Sequence, residues 1–413
     1  MPMGIKMKVN VIGLGYIGLP TALMFAANGV EVVGTDYNAE LVHTLKQGKT
    51  TFDESGLDDL FQKAVDSNIV FSTEYISTDI YIISVPTPYE KHNKKIDPKY
   101  VIKAVETVLT VCPKGAVIVV ESTVSPRTID RYIRPIFEDK GYVIGKDIHL
   151  VHAPERIIPG NMIYELEHNS RTIGVDHLEI GEKIKELYSS FCKGDIVITD
   201  IRTAEMTKVV ENTYRDVNIA FANELAKICR FDHMNVYEII KIANMHPRVN
   251  ILQPGPGVGG HCISVDPWFL VGDYPGLANI ILTARNINDS MPEFVLERIY
   301  DIMKENKMEH VNRVGIYGLT YKEDVDDVRE SPTLQLLESM KKHLGGAVKV
   351  FDPFVKTMIV ENQYTDFNEF LNDIDFVVIM VGHTHILKNK SQITEKLVLD
   401  TKNIINEPNI YKL

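Results

Sequence analysis

The chain has 413 residues, of which 45% are hydrophobic and 24% are charged, and its net charge is −12. This length predicts two or three domains, and the ordinary composition argues against a disordered chain. The acidic balance argues against a nucleic acid or an anionic membrane as a partner, and we expect neither.

The cysteines and the apolar runs indicate the compartment. Cys112, Cys192, Cys229 and Cys262 stand at spacings that form neither a disulfide framework nor a zinc pattern, so no metal site is expected. The runs AVIVV and FVVIMV are too short to span a bilayer, and the N-terminus lacks the long apolar core of a signal peptide. We therefore expect a cytoplasmic protein with reduced thiols and no membrane segment.

The first predicted elements form a βαβ unit between residues 7 and 36. Its strand runs directly into the pattern G-x-G-x-x-G, a helix follows, and an aspartate ends the next strand. The glycines let a pyrophosphate lie on the helix N-terminus, and the aspartate would bond the ribose hydroxyls and repel a 2′-phosphate. The unit therefore predicts an NAD site. The residues assigned to it are Gly13, Gly15, Tyr16, Ile17, Gly18 and Asp36.

Five further strands follow, separated by amphipathic helices, and this alternation predicts a doubly wound parallel sheet. Their sequences are IVFST, DIYIISVP, AVIVVEST, IHLVHAP and IVITD. Ligands bind beyond the carboxyl ends of such strands, which is where Thr87, Thr123 and Glu155 fall. Both threonines also precede prolines, so a cofactor contact and a turn cap remain equally open for them.

From Arg202 to Met245 the pattern changes to long helices. On one face Lys208, Asn212 and Arg215 present an ammonium, an amide and a guanidinium together. A solvated charged face usually explains such a set, but few acidic residues accompany this one, which favours a site. Another face carries an apolar stripe that favours a dimer interface. Its residues are Met206, Val210, Val217, Phe221, Leu225 and Ile228.

A glycine-rich stretch, GPGVGGHCISVDPW, follows these helices. Its glycines let main-chain N–H groups approach an anionic ligand closely. Cys262 lies between the glycines and Asp266, and Trp268 would fix the stretch to the core. A cysteine is more often a small buried hydrophobe than a nucleophile, and the other three cysteines fit that description. Cys262 is predicted to be a nucleophile because nearby N–H donors favour the thiolate.

A third segment begins near Asn312. It contains the strand patterns NRVGIYGLTYK, VKVFDP, DFVVIMVGH and KLVLDTK and the helix SPTLQLLESMKKHLG. They predict a second, smaller α/β domain of nucleotide-binding type. Tyr321, Lys322 and Arg329 fall at the end of its first strand, the usual binding edge. The chain thus divides into three predicted domains, residues 1–200, 201–300 and 301–413.

Taken together, these motifs resemble the UDP-glucose/GDP-mannose dehydrogenase family over essentially the whole chain. The resemblance rests on VIGLGYIGLP, ESTVSP, KVVENTYRDVNIAFANELA, GVGGHCISVDP and RESPT. Within the family, HAPERIIPG and HPRVNILQPGPGVGGHCISVDPW look most like the members that oxidise UDP-N-acetyl-D-mannosamine. Relatives acting on UDP-glucose usually carry a Phe-Leu-Arg-Glu type sequence where this chain has Arg156 to Pro159. Many relatives also have proline where this chain has Ser264.

The resemblance implies an α/β fold of two Rossmann-like doubly wound domains joined by a central helical region. Residues 1–200 would bind NAD, residues 201–300 would supply catalytic groups and the contacts of a homodimer, and residues 301–413 would bind the UDP-sugar. It also implies a four-electron oxidation of the sugar C6 to a uronate for polysaccharide biosynthesis, with two NAD reduced. Cys262 would hold the aldehyde as a thiohemiacetal and then as a thioester.

Matching positions imply a role for each site residue. The catalytic set is Thr123, Glu155, Lys208, Asn212, Cys262 and Asp266. Lys208 would assist proton removal or stabilise the oxyanion as an ammonium, with Asn212 beside it. Thr123, Glu155 and Asp266 would position or activate water, whereas Pro159 replaces a second glutamate of some relatives. The residues that would border NAD are Thr87, Thr123 and Arg329. Those that would hold the sugar and diphosphate are Glu155, Arg156, Ile157, Lys208, Asn212, Arg215, His246, Arg248, Gly259, Tyr321 and Lys322.

Three alternatives remain open from the sequence. A UDP-glucose or UDP-N-acetylglucosamine 6-dehydrogenase would perform the same chemistry on another sugar. A two-electron hydroxyacid dehydrogenase shares the Rossmann unit and the helical region but has no use for the thiol. A regulator that only binds NAD or a UDP-sugar would not need Cys262, Lys208, Asn212 and Asp266, which argues against it.

Overall fold

The structure is a computed structural model that describes residues 7–260, 262–344 and 348–413. The chain divides into two compact units, Met1–Val210 and Glu211–Leu413. Each unit contains one sheet. Within the described ranges, no helix is both long enough and apolar enough to cross a membrane.

The first unit is built on an eight-stranded sheet. Its spatial order is β3-β2-β1-β4-β5-β6-β7-β8, and the first six strands have the order and parallel direction of a dinucleotide-binding sheet. The central strands IYII and AVIVV are buried along their whole length, as expected for a sheet covered on both faces. The strands are β1 (Lys8–Ile12), β2 (Glu31–Thr35), β3 (Val70–Ser72), β4 (Ile80–Ile83), β5 (Ala116–Val120), β6 (Ile148–His152), β7 (Arg171–Val175) and β8 (Ile196–Thr199).

Helices connect these strands. They are α1 (Gly18–Ala27), α2 (Ala39–Lys46), α3 (Leu57–Asp66), α4 (Lys99–Val108), a π-helical turn (Ile129–Ile133) that continues into α5 (Arg134–Asp139), α6 (Met162–His168), α7 (Leu178–Tyr188) and α8 (Ile201–Phe231). The five strands predicted after the first βαβ unit correspond to β3, β4, β5, β6 and β8. Strand β7, which runs antiparallel to β6, was not among the predicted strands.

The second unit contains the remainder of α8, a group of helices and a six-stranded parallel sheet of order β11-β10-β9-β12-β13-β14. Its helices are α9 (Val236–Ala243), α10 (Asp266–Asp273), α11 (Asn279–Asp289), α12 (Met291–Glu305), a 3₁₀ turn (Val311–Arg313), α13 (Pro332–Leu344), α14 (Phe367–Asn372), α15 (Thr384–Lys388) and α16 (Lys390–Thr394). Its strands are β9 (Val314–Tyr317), β10 (Lys349–Phe351), β11 (Gln363–Tyr364), β12 (Phe376–Ile379), β13 (Leu397–Asp400) and β14 (Tyr411–Lys412).

The predicted fold class is confirmed, because two Rossmann-like sheets are present and helices occupy the intervening sequence. The order of the second sheet repeats that of the first six strands of the first sheet. The division into three domains at residues 200 and 300 stays a prediction.

Helix α8 buries polar side chains instead of its apolar stripe. Asn212, Asp216 and Asn223 are completely buried. In contrast, Phe221 and Ile228 of the predicted stripe are each 50% exposed. Small apolar residues of α8, including Ala222, Ala226 and Cys229, are buried as well, so the inner face of this helix combines apolar packing with a polar network.

Candidate active site

The glycine turn after β1 has the geometry of a dinucleotide site. Gly13 has φ 88°, and a Cβ there would lie 2.6 Å from the Ser84 carbonyl oxygen. A Cβ on Gly18 would lie 1.8 Å from the Gly13 carbonyl oxygen, so both residues are required by the turn itself. A Cβ on Gly15 would meet no atom within 4 Å. Gly15 therefore leaves open space before the N-terminus of α1, where a pyrophosphate is bound in such folds.

Asp36 directly follows β2 at the same edge. Its Oδ2 accepts a hydrogen bond from the Leu14 N–H at 2.8 Å, and its Oδ1 accepts one from the Asn38 N–H at 2.9 Å. A carboxylate has about four lone-pair sites, so two acceptor positions are left over for hydroxyl groups. This arrangement fits the ribose contact predicted for Asp36.

Thr87 and Thr123 follow β4 and β5, and the structure brings them together. The Thr87 hydroxyl donates to the Thr123 main-chain oxygen at 2.6 Å. This bond ties the ends of two neighbouring strands, which is a structural role. The Thr123 hydroxyl, which is predicted to act in catalysis, takes no part in this hydrogen bond.

Glu155 is the centre of a buried charge cluster. Its Oε1 accepts the Arg156 N–H at 2.6 Å, and its Oε2 contacts the guanidinium of Arg171. The same guanidinium lies 3.8 Å from Glu121, whose other partners are the hydroxyls of Ser84 at 2.5 Å and Tyr188 at 2.9 Å. Burial raises the pKa of Glu121 to about 7, although Arg171 acts in the opposite direction. Glu155 is thus held in place by an ion pair that the sequence did not predict.

Arg156 and Ile157 continue this segment. The Arg156 guanidinium donates to the Ser170 carbonyl oxygen at 2.8 Å and to the Thr172 hydroxyl at 2.9 Å. Its side chain therefore lies along β7, and Ile157 is buried. Both residues stay predicted substrate contacts.

Helix α8 supplies the next three predicted residues. Lys208 is buried and belongs to the first unit. In the second unit the Asn212 amide donates to Asp266 Oδ2 at 2.6 Å, and the Arg215 guanidinium donates to Asn212 Oδ1. The predicted helix residue Asn212 and the predicted carboxylate Asp266 are therefore in direct contact.

Cys262 lies four residues before the start of α10 at Asp266. Its main-chain oxygen accepts N–H groups from Val265 at 3.2 Å and from Asp266 at 2.9 Å, which closes a turn at the N-terminus of that helix. The side chain of Cys262 is partly buried. We use the name cysteine loop for residues 255–266, of which all but His261 are described. The contact between Asn212 and Asp266 fixes the end of this loop.

The middle of the cysteine loop packs on the segment that follows β9. The Gly260 N–H donates to the Arg329 carbonyl oxygen at 2.9 Å. A Cβ on Gly259 would lie 2.7 Å from the Tyr321 Cβ, and one on Gly260 would lie 2.7 Å from the Tyr321 ring. The structure therefore joins the predicted residues Gly259, Tyr321 and Arg329 within one unit, and glycine is required for this approach.

The remaining predicted residues lie in less enclosed positions. His246 and Arg248 are exposed in the turn after α9, where His246 Nδ1 accepts the Arg248 N–H at 3.3 Å. Lys322 is partly buried, and its main-chain oxygen accepts the Thr320 hydroxyl at 2.8 Å. These contacts do not bear on substrate binding, so the substrate roles of His246, Arg248 and Lys322 stay predictions.

Sequence reasoning missed several polar residues that hold this site. Arg171 binds Glu155, and Asp327 accepts both the N–H and the guanidinium of Arg329. Asn223 accepts the N–H of Gly255 at 2.9 Å. The signal available for Arg171 was a charged residue at the start of an apolar strand, and the signal for Asp327 was its D-x-R spacing to Arg329.

Models of three consecutive domains match the chain in order. They are the NAD binding domain of the UDP-glucose/GDP-mannose dehydrogenase family over residues 7–192, its central domain over residues 202–290 and its UDP binding domain over residues 315–407. The chain belongs to this family.

Individual family members are similar over nearly the full length. A UDP-N-acetyl-D-mannosamine dehydrogenase of Methanococcus aeolicus is 43% identical over 97% of this chain and 92% of its own. An NDP-N-acetyl-D-galactosaminuronic acid dehydrogenase of Ralstonia nicotianae is 40% identical over 95% of each chain. The solved UDP-N-acetyl-mannosamine dehydrogenase of Staphylococcus aureus is 41% identical over 98% of each chain, with a TM-score of 0.88.

Membership in the family confirms the predicted class of enzyme, an NAD-dependent UDP-sugar dehydrogenase, and confirms NAD as its cofactor. The match to the UDP binding domain also supports the predicted UDP-sugar substrate. The residues present fit NAD, because Gly15 borders open space before α1 and Asp36 retains acceptor positions. The roles of the individual site residues stay predictions.

Proposed function

We propose that the chain oxidises C6 of UDP-N-acetyl-D-mannosamine to the carboxylate, releasing UDP-N-acetyl-D-mannosaminuronate with two NAD reduced per sugar. The observation that carries the proposal is the contact between Asn212 and Asp266, since it joins the helix with the predicted catalytic face to the loop that bears Cys262. When bound, NAD accepts one hydride in each of the two oxidations.

Cys262 supplies the covalent step of this proposal. The alcohol first loses a hydride and a proton to give an aldehyde. The thiolate then bonds to the aldehyde carbon, and the carbonyl oxygen takes a proton to form a thiohemiacetal. Loss of a second hydride and of that proton gives a thioester. Water attacks the thioester carbon, the carbon–sulfur bond breaks, and the thiolate returns to its starting state.

Lys208 and Asn212 stabilise the oxygen that becomes negative when C6 reacts. An amide NH₂ carries two donors, of which Asp266 takes one. We assign the second donor of Asn212 and the ammonium of Lys208 to the developing oxyanion. Proton removal by a neutral Lys208 is the alternative assignment.

Water activation is assigned to Asp266, with Thr123 and Glu155 as positioning groups. Asp266 belongs to the cysteine loop, whereas the two oxygens of Glu155 already receive the Arg156 N–H and the Arg171 guanidinium. Because both oxygens of Glu155 already accept protein donors, we assign Glu155 to positioning the water rather than to removing its proton.

Binding of the UDP-sugar is assigned to the predicted substrate residues. Arg156, Arg215 and Arg248 suit bidentate contacts to the diphosphate, and Tyr321 lies against the cysteine loop. The remaining assigned contacts are Ile157, His246, Gly259 and Lys322. Arg329 and Thr87 are assigned to the cofactor side.

The choice of sugar rests on the relatives. Enzymes named for UDP-N-acetyl-D-mannosamine are up to 43% identical to this chain, while the Ralstonia nicotianae relative named for an N-acetylgalactosaminuronic acid is 40% identical. The second candidate substrate is therefore another UDP-N-acetylhexosamine. UDP-glucose is a further alternative.

Turnover of a panel of UDP-sugars by the purified chain tests the proposal. We expect UDP-N-acetyl-D-mannosamine to give the highest kcat/KM, with two NADH formed per uronate detected by mass spectrometry. UDP-N-acetylglucosamine, UDP-N-acetylgalactosamine and UDP-glucose are the matched comparisons. Equal or faster turnover of any of these three would replace the proposed sugar, and one NADH per product would replace the four-electron reaction.

Cys262→Ala separates the thiol from the rest of the site. We expect this variant to lose uronate formation by at least about a thousandfold, because the aldehyde then lacks its covalent anchor. Cys192→Ala, which changes a buried thiol of the first unit, is the control and should retain activity. Uronate formation by Cys262→Ala at the wild-type rate would contradict the proposal.

We also assign the chain to a homodimer in the cytoplasm. Apolar side chains on the outer face of α8 are exposed in the single chain, and Cys112, Cys192 and Cys229 are free thiols, as is typical of a reducing compartment. The exposed large apolar residues of α8 in the second unit are Tyr214, Phe221, Ile228 and Phe231. A second copy of the same chain is the partner that would cover them.

A further inference from the structure

Two asparagines of α8 hold the two ends of the cysteine loop. Asn212 donates to Asp266 at the end of the loop, and Asn223 accepts the N–H of Gly255 at its start. The two asparagines are eleven residues apart, which corresponds to about 17 Å along a helix. An extended chain of the same number of residues as the loop could reach about 40 Å, so the loop is folded back between two fixed points.

The Asn223 amide belongs to a directed chain of buried hydrogen bonds. Its Nδ2 donates to Asn288 Oδ1 at 2.8 Å, and the Asn288 Nδ2 donates to Asp216 Oδ1 at 2.8 Å. Arg285 also donates to Asp216 Oδ1, at 2.6 Å. An ionised Asp216 can only accept hydrogen bonds, and the Gly255 N–H can only donate one. These two end groups therefore fix which way the side-chain amides of Asn223 and Asn288 point.

The sequence at the start of the cysteine loop limits the main-chain hydrogen bonds that can hold it. Gly255 lies between Pro254 and Pro256, which have no N–H, and all three residues are buried. The Gly255 N–H is therefore the single main-chain donor of this Pro-Gly-Pro stretch. An aspartate at position 223 could still accept that N–H, but it would have no donor for Asn288, and a leucine would provide neither.

We propose that Asn223 is a positioning residue for the second oxidation, because it fixes the start of the cysteine loop and thereby the location of the Cys262 thiol. This inference rests on the proposed function, in which Cys262 bonds to the aldehyde. The first oxidation does not use the thiol. The two hydride transfers should therefore respond differently when the support at position 223 is weakened.

Single-turnover kinetics with enzyme and NAD in excess over UDP-N-acetyl-D-mannosamine test this difference. In the wild type, NADH should form in two phases of one equivalent each. In Asn223→Asp the first phase should change by less than about threefold and the second should slow by at least about tenfold, as expected when a reacting group is displaced. Asn223→Leu should slow the second phase further.

Asn244→Asp is the matched control. Asn244 exchanges two hydrogen bonds with Ile251, at 2.8 and 2.9 Å, and thus supports the chain just before the cysteine loop. This variant should keep both phases while its melting temperature falls by an amount similar to that of Asn223→Asp. If Asn223→Leu does not fold, Asn223→Asp decides the question. Equal second-phase rates in Asn223→Asp and Asn244→Asp would overturn the positioning role.

Failure of the inference is distinguishable from failure of the proposed function. In the same experiment Cys262→Ala should give the first equivalent of NADH and no second. If Cys262→Ala gives both equivalents, the thiol mechanism is wrong regardless of Asn223. If Cys262→Ala gives one equivalent and Asn223→Asp behaves as the control, only the positioning role is wrong.

Discussion

His152 is a buried histidine, and only one of its two ring nitrogens has a hydrogen-bond partner among the described residues. Nδ1 lies 2.9 Å from the Val120 main-chain oxygen and must therefore donate, while Nε2 has no partner among the described residues. Protonation would place an additional charge on a fully buried ring. Burial lowers the pKa of His152 to about 4, although the bond to Val120 acts in the opposite direction.

This lowered pKa predicts acid-sensitive stability. The ordinary histidine pKa is 6.5. Below that pH, His152 is protonated in the unfolded chain but stays neutral in the folded chain. The free energy of unfolding should therefore be fully retained above pH 6.5, fall as the pH drops towards 4, and lose about 2 kcal/mol from this group by pH 5. Urea unfolding of wild type and His152→Asn at pH 7 and pH 5 measures the difference.

His152→Asn keeps a donor for Val120 but does not titrate. We expect it to be less stable than the wild type at pH 7 and to lose about 2 kcal/mol less on going to pH 5. His310→Asn makes the same substitution at an exposed position and provides the comparison for the change of side chain alone. An unchanged pH dependence in His152→Asn would show that this histidine is not the sensitive group.

At the level of single residues, the sequence predicted groups within recognisable motifs and missed those defined only by three-dimensional pairing. Asn212 and Asp266 were predicted separately, and the structure joins them at 2.6 Å. Asn223 was overlooked because its partners, Gly255 and Asn288, lie 32 and 65 residues away. An asparagine within a long helix carries no sequence signal that distinguishes a buried bridge from a solvated amide.

Strands β6 and β7 explain how Glu155 acquires its partner. They pair antiparallel with Val151 opposite Val175 and His152 opposite Gly174. Continuing that register beyond β6 sets Glu155 opposite Arg171, and the two side chains are in contact. The Arg171 guanidinium also lies 4.3 Å from the centre of the Tyr188 ring. The ion pair is therefore a consequence of strand direction.

Replacing Arg171 should be severely destabilising. Arg171→Met leaves the buried carboxyl groups of Glu155 and Glu121 without their cation, and breaking a buried pair in this way costs about 3–5 kcal/mol. Arg171→Lys should lose less, because it keeps the charge but not the planar fork. The free energy of unfolding, measured with urea at pH 7.5, provides the comparison.

A double variant identifies the cause of that loss. Arg171→Met combined with Glu155→Gln removes one of the two carboxyl groups left without a cation and should recover part of the stability lost in Arg171→Met. If the double variant is less stable by the sum of both single effects, charge pairing is not what Arg171 contributes. In that case, the stability lost in Arg171→Met would come from the packing of Arg171 against Tyr188.

The elements that the sequence predicted well are those with long, regular patterns. The glycine turn with β1, α1 and β2, the parallel strands β4 and β5, and the 31-residue helix α8 all follow from periodicity and turn residues. β7 was missed because RTIGV is short, begins with arginine and contains glycine. β11 and β14 have two residues each and depend entirely on neighbouring strands.

On the scale of the whole molecule, the outer surface of α8 and its neighbouring helices is unusually apolar. Besides the residues of α8, the exposed apolar side chains of the second unit include Ile242, Met245, Leu277 and Ile280. Isolated exposed hydrophobic residues are common, but a concentration on one group of helices is what the proposed homodimer would cover. Of the stripe that the sequence predicted, Phe221 and Ile228 are exposed, whereas the buried polar residues of α8 could be identified only from the structure.

A charged substitution within the stripe tests the proposed homodimer. Phe221 is half exposed in the single chain, and an aspartate there would be buried without a partner in the dimer, which should weaken association by at least about tenfold. Sedimentation across micromolar concentrations should show a dimer for the wild type and a shift to monomer for Phe221→Asp. Val143→Asp, at an exposed apolar position of the first unit, should remain dimeric. A wild type that sediments as a monomer throughout that range would contradict the assignment, and a dimer that tolerates Phe221→Asp would place the interface elsewhere than on α8.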